Sequence, residues 1–141
     1  RAIDAVDFEK EHEGFGYPSL HLQLHHVIGA ERYWTGVLFG RIDVQEDEAD
    51  HRTVDTLEAL RRDVAATTVD YLRNAGDDEL SASRPMTTWN GSVLELVPAH
   101  VVLRTQTHLY HHQGQMTAMC RLLGRPVEGL DYPHQAVDPR R

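Results

Sequence analysis

His108 and His112 stand four residues apart, the spacing that puts two imidazoles on one face of a helix, one turn apart, where a single divalent ion can bridge them. Val101, Thr105, Gln115, Met116, Met119 and Leu122 continue the same stripe, so the face that carries the pair is apolar enough to be buried. A buried imidazole left without a partner costs roughly 1–3 kcal/mol, and a bound metal removes that cost. The alternative is a pair of core histidines hydrogen-bonded to neighbouring groups or to water. Leu109 directly follows His108, where a zinc protease helix carries its glutamate base, so that reading is excluded. A third ligand has to come from another helix. His26 is the best placed, because it shares a face with Leu22, Ala30, Tyr33 and Val37. His21 and His25 form a rival i, i+4 pair, and their position near a helix start reads as an exposed polar face. Cys120, the single cysteine, offers no internal disulfide and no thiolate metal site, and reads as a buried, inert thiol.

These histidines need long helices to hold them. Residues 2–12 have a thin apolar pattern and predict a short helix. Gly14, Gly16 and Pro18 break the chain, and Ser19 is placed to cap a helix over 19–39, with apolar residues at Leu20, Leu24, Val27, Ile28, Tyr33, Trp34, Val37 and Leu38. Gly40 to Arg52 is an acidic connection, and Thr53 then caps a helix with the stripe Leu57, Leu60, Val64 and Tyr71, stopped by Asn74 and Gly76. Residues 76–91 read as a loop with an extended piece around Trp89 and a turn at Asn90-Gly91. A helical pattern opens at Ser92, and the long helix 98–123 ends at Gly124 and Pro126, with Pro98 either in its first turn or kinking it. The fold expected is all-α, a four-helix bundle with a long crossover between helices 2 and 3 and a short first helix. At 141 residues the chain has the size of one domain, assigned to residues 1–126, with 127–141 as an extended tail.

Charge narrows the function classes. Asp and Glu number 22 against 14 Lys and Arg, a net charge of −8, which opposes the phosphate neutralisation on which nucleic-acid binding depends. The apolar runs fall far short of the roughly 20 residues that cross a bilayer, and no apolar segment opens the chain, so neither membrane nor nucleic acid is an expected partner and the expected location is cytoplasmic.

The segment from His26 to Trp34, HVIGAERYW, resembles the second-helix signature of the DinB-like superfamily of metal-binding four-helix bundles, which is unrelated to the DNA polymerase sharing that label. HLYHHQGQ, from His108 to Gln115, is similar to the last-helix signature H-x-x-x-H-x-G-Q of the same superfamily, and the resemblance covers residues 19–126. It implies an up-down-down-up bundle with a divalent metal held by His26, His108 and His112 and the remaining positions left to water. The chain departs from the family in its short first helix and in Gln113, where many relatives carry Arg. Three neutral imidazoles with open positions suit Zn²⁺ or Ni²⁺. Around them, Glu31 is either an acceptor behind a ligand or half of a surface pair. Trp34, Tyr33, Tyr110 and Gln115 are assigned to a substrate pocket, with core packing as the alternative for the aromatics, and Arg104 holds an anionic substrate or makes an ordinary salt bridge. The function implied is a transferase in which the metal activates a low-molecular-weight thiol for attack on an electrophilic small molecule. The alternatives are a hydrolase using metal-bound water, with Glu31 as its base, and a non-catalytic, stress-related metal-binding protein. A homodimer is expected from the resemblance and from the apolar residues on more than one face of helix 19–39.

Overall fold

Each long helix begins where a side chain can satisfy the free amides of its first turn. Ser19 Oγ accepts from the Leu22 N–H at 3.2 Å and opens α2, Leu20–Leu38. Thr53 and Thr56 cap each other's backbone amides and open α3, Val54–Asn74. Pro98, which has no amide to leave unsatisfied, stands in the first turn of α5, Pro98–Leu122, and Gly124 follows that helix at φ +70. The first helix, α1, is only Ala5–Glu9, capped by Asp4. The computed structural model of the protein describes residues 3–42 and 48–127. The all-α expectation is met, and the first helix is short. Part of the acidic connection, residues 43–47, and the tail from residue 128 lie outside the described residues.

Two expectations for residues 76–97 are corrected. A helix of five residues, α4, Asp77–Ser81, occupies the start of the expected loop; Asp77, Asp78 and Glu79 fall in its first turn, where the helix N-terminus favours negative charge. The pattern opening at Ser92 is a strand and not a helix. β1, Arg84–Thr87, pairs antiparallel with β2, Val93–Leu96, in the register Arg84↔Leu96 to Thr87↔Val93. Gly91, at φ +79, supplies the left-handed residue of the Asn90-Gly91 turn, and that turn returns the chain along β1 before a helix can start.

α2 is the spine. α5 packs on it antiparallel, since Gln23 meets Gln115 and His26 meets His108. α3 packs on it in parallel, since Thr35 meets Thr68 and Phe39 meets Tyr71. Parallel neighbours need a connection that travels the length of the pair, which is what the crossover after Phe39 provides. Two apolar clusters hold the helices together. One joins Phe8, Leu20, Ile28, Leu57, Leu60, Val64, Met119 and Cys120; the other joins Val37, Leu38, Tyr71, Met86 and Val101. Along α5, His108 and His112 lie between Val101 of one cluster and Met119 of the other. The hairpin is tied to α2 by Arg84 Nη2, which donates to the Leu38 carbonyl at 3.0 Å, and by the Trp89 N–H, which donates to Tyr33 Oη at 3.1 Å.

Candidate metal centre

His26 on α2 and His108 and His112 on α5 turn their rings to one point. His108 Nε2 is 3.2 Å from His26 Nε2 and 3.1 Å from His112 Nε2, and one ligand atom from each residue lies within 4.8 Å of the others. His112 is buried, while the other two are partly exposed.

Gln23 determines the tautomer of His112. Its side chain is fully buried, its Nε2 donates to the Tyr17 carbonyl at 2.8 Å and to Gln115 Oε1 at 2.9 Å, and its Oε1 lies 2.6 Å from His112 Nδ1. With both amide protons directed at acceptors, Gln23 can only accept from His112, so the proton of that imidazole sits on Nδ1 and the Nε2 lone pair faces the other two rings. Gln115 extends the chain through its Nε2 to His111 Nε2 at 2.8 Å. Tyr17 covers His26, ring on ring, with centroids 3.8 Å apart and planes 18° from parallel.

With His112 Nε2 an acceptor, a single proton on His108 Nε2 serves only one of its two short contacts well. A cation at the centre would turn all three nitrogens into ligands, so the donor set fits a metal better than it fits a set of mutual hydrogen bonds. Metal–nitrogen bonds of about 2.0–2.1 Å give edges of roughly 3.3 Å in a tetrahedron and roughly 3.0 Å in an octahedron. Two of the separations, 3.2 and 3.1 Å, are of this size, while the three ligand atoms together span up to 4.8 Å, so the rings must draw closer to close on one ion. Burial, followed by the charges of His112, His108 and His25, pulls His26 down to about 4. His108 is lowered by burial, then by Arg104 and His111, and His112 by burial, then by His108 and His111. The rings are thus held neutral at pH 7, the state in which imidazole ligates.

The sequence model of the DinB family matches residues 1–140. The chain belongs to the DinB family. No curated protein matches it. Family membership fits a metal-binding role for the cluster, and three histidines of this DinB-family chain are close enough together to hold an ion.

Beside the histidines a cavity of about 500 Å³ opens, lined by His25, His26, Gly29, Ala30, Arg32, Tyr33, Trp34, Trp89, Arg104 and His108. It contains four of the residues singled out from the sequence besides the ligands themselves or their neighbours: Tyr33, Trp34, Arg104 and, from the expected extended piece, Trp89. Arg104 lies over the Trp34 indole, with Cζ 5.0 Å from the ring centroid. Tyr110 is exposed elsewhere on α5 and is not among the cavity residues, and Gln115 supports Gln23 behind His112. Glu31 turns to α3, where its Oε1 accepts from Thr68 Oγ1 at 2.7 Å.

Among the described residues no helix is long and apolar enough to cross a membrane. The reading of His21 as an exposed residue is corrected: it is 3% exposed, its Nε2 donates to the His51 carbonyl at 2.9 Å, and its Nδ1 lies 3.3 Å from Glu9 Oε2. That ring ties the short first helix and the end of the crossover to α2, which is why it is buried. Cys120 is buried, and burial raises its thiol pKa. Sequence reasoning missed Gln23 and Tyr17. Gln23 had a signal, a polar amide three residues before His26 on the same helical face; Tyr17, in the loop before α2, had none.

Proposed function

We propose that the protein is a metal-dependent transferase in which a divalent ion, Zn²⁺ or Ni²⁺, held by His26, His108 and His112, activates a low-molecular-weight thiol for attack on an electrophilic small molecule. The observation that carries the reading is the convergence of three neutral imidazoles beside a cavity large enough for a small-molecule substrate. When bound, the ion supplies Lewis acidity that lowers the pKa of a thiol on its open side. The chain's own part is to present lone pairs and to shape the approach. Gln23 fixes His112 with Nε2 forward, Tyr17 covers one face of His26, and Tyr33, Trp34 and Trp89 give the cavity flat apolar walls. Cys120 is buried with its thiol pKa raised, so the sulfur comes from a co-substrate. We include in this reading a homodimer working in the cytoplasm.

Elemental analysis of tag-free protein tests the centre. About one equivalent of metal is expected in the wild type and none in His108→Ala. Metal-dependent conjugation of a chromogenic electrophile, assayed across a panel of small thiols, tests the reaction; turnover of an activated ester without thiol would replace the transferase by a hydrolase.

A further inference from the structure

The cavity beside the histidines differs in charge from the rest of the molecule. The chain carries 22 acidic and 14 basic residues, yet the cavity is lined by Arg32 and Arg104 and, among the described residues, by no Asp or Glu. Arg104 is exposed, and among the described residues its guanidinium makes no ion pair; what it has is the face of Trp34, with Cζ 5.0 Å from the ring centroid. A guanidinium resting on an indole keeps its N–H groups directed outward in the plane of the fork, the arrangement that receives a carboxylate by two parallel hydrogen bonds. Tyr33 packs edge-on against Trp34, with centroids 5.1 Å apart, and its hydroxyl accepts from the Trp89 backbone N–H at 3.1 Å, which holds the Trp89 backbone beside these rings. The cation and the flat walls stand on the same side of the centre as His26 and His108.

We propose that this cavity is a binding site for a planar carboxylate, with Arg104 as the residue that selects the anion and Trp34 and Trp89 as the surfaces that select flatness. The carboxylate belongs to the electrophilic substrate and not to the thiol, because aromatic walls favour a flat unsaturated skeleton over a flexible chain. The inference rests on the proposed function in taking the cavity as the substrate's, and it assigns that substrate a chemical class.

Trp34 and Trp89 are the only 2 tryptophans in the chain, and both line the cavity, so tryptophan fluorescence reports occupancy directly. Benzoate, its uncharged counterpart benzamide, and acetate are titrated into full-length protein, first stripped of metal by chelation and then loaded with Zn²⁺. Saturable quenching by benzoate is expected in both forms, with binding at least tenfold weaker for benzamide, for acetate and for benzoate with Arg104→Gln, and with Arg104→Lys recovering part of the loss. Circular dichroism and metal content of Arg104→Gln should match wild type, since Arg104 is on the surface. Equal binding of benzoate and benzamide, or unchanged binding in Arg104→Gln, overturns the inference. So does binding that needs Zn²⁺ and ignores Arg104, an outcome that leaves the metal reading standing. Arg104-dependent binding by a protein that takes up no metal supports the inference and removes the proposed transferase chemistry.

Discussion

At the scale of single residues, the centre depends on an amide that is not itself a ligand. Gln23 has no exposed surface and spends both protons and its oxygen on Tyr17, Gln115 and His112. Gln23→Leu keeps the size and removes every one of these bonds. The variant should lose 10- to 100-fold in metal affinity, the usual effect of removing a group that orients a ligand. It should also lose about 1–3 kcal/mol of stability, because the Tyr17 carbonyl and His112 Nδ1 are left without their partner. Competition with a chromogenic chelator measures the first and denaturant unfolding the second. Unchanged affinity would mean that His112 finds its tautomer without Gln23. Gln23→Glu separates orientation from polarity, since it keeps an acceptor for His112 and removes the donors to Tyr17 and Gln115; it should hold metal better than Gln23→Leu while still unfolding more easily than wild type.

At the scale of elements, α2 carries one wall of the centre, and α3 packs along α2 through Thr68, which meets Thr35 and Glu31. Thr53→Ala removes the side-chain half of the α3 capping box and should cost about 1 kcal/mol. Thermal unfolding would register that loss, while the affinity for metal should stay at the wild-type value because no ligand comes from α3. The long helices were legible because their apolar residues repeat at the helical period and capping residues mark their ends: 19–39 was expected and Leu20–Leu38 is found, 98–123 was expected and Pro98–Leu122 is found. Residues 77–96 were not, since a helix of five residues and strands of four are too short to show a period. That gap hid the surroundings of the histidines. The place of Trp89 on the cavity depends on the hairpin turn, and the hairpin could not be read as one. Likewise the helical period could put Glu31 near His26 or away from it, and only packing against α3 decides that its carboxylate meets Thr68.

At the scale of the whole molecule, the buried imidazoles make stability depend on pH. His26 is held at about 4 against an ordinary 6.5, so between these values the unfolded chain binds more protons than the folded one. Above pH 6.5 this group contributes no pH dependence; as pH falls from 6.5 toward 4 the metal-free protein should lose stability, with His108 and His112 acting in the same direction. Metal amplifies the trend, because ligation requires the neutral rings: added Zn²⁺ should raise the unfolding midpoint more at pH 8 than at pH 5, as scanning calorimetry would show. A Zn²⁺-induced shift equal at both pH values would argue against histidine ligation. Light scattering at micromolar concentration should give about twice the 16.0 kDa of one chain, and a monomer mass would remove the homodimer. The centre also closes over a long stretch of chain, His108 standing 82 positions after His26 and Gln115 standing 92 after Gln23. At a synthesis rate of about 5–20 residues per second, α2 leaves the ribosome several seconds before α5 exists to meet it. Through that interval His26 and Gln23 of α2 lack the partners that α5 brings, so a centre built from both helices can be completed only after α5 has been made.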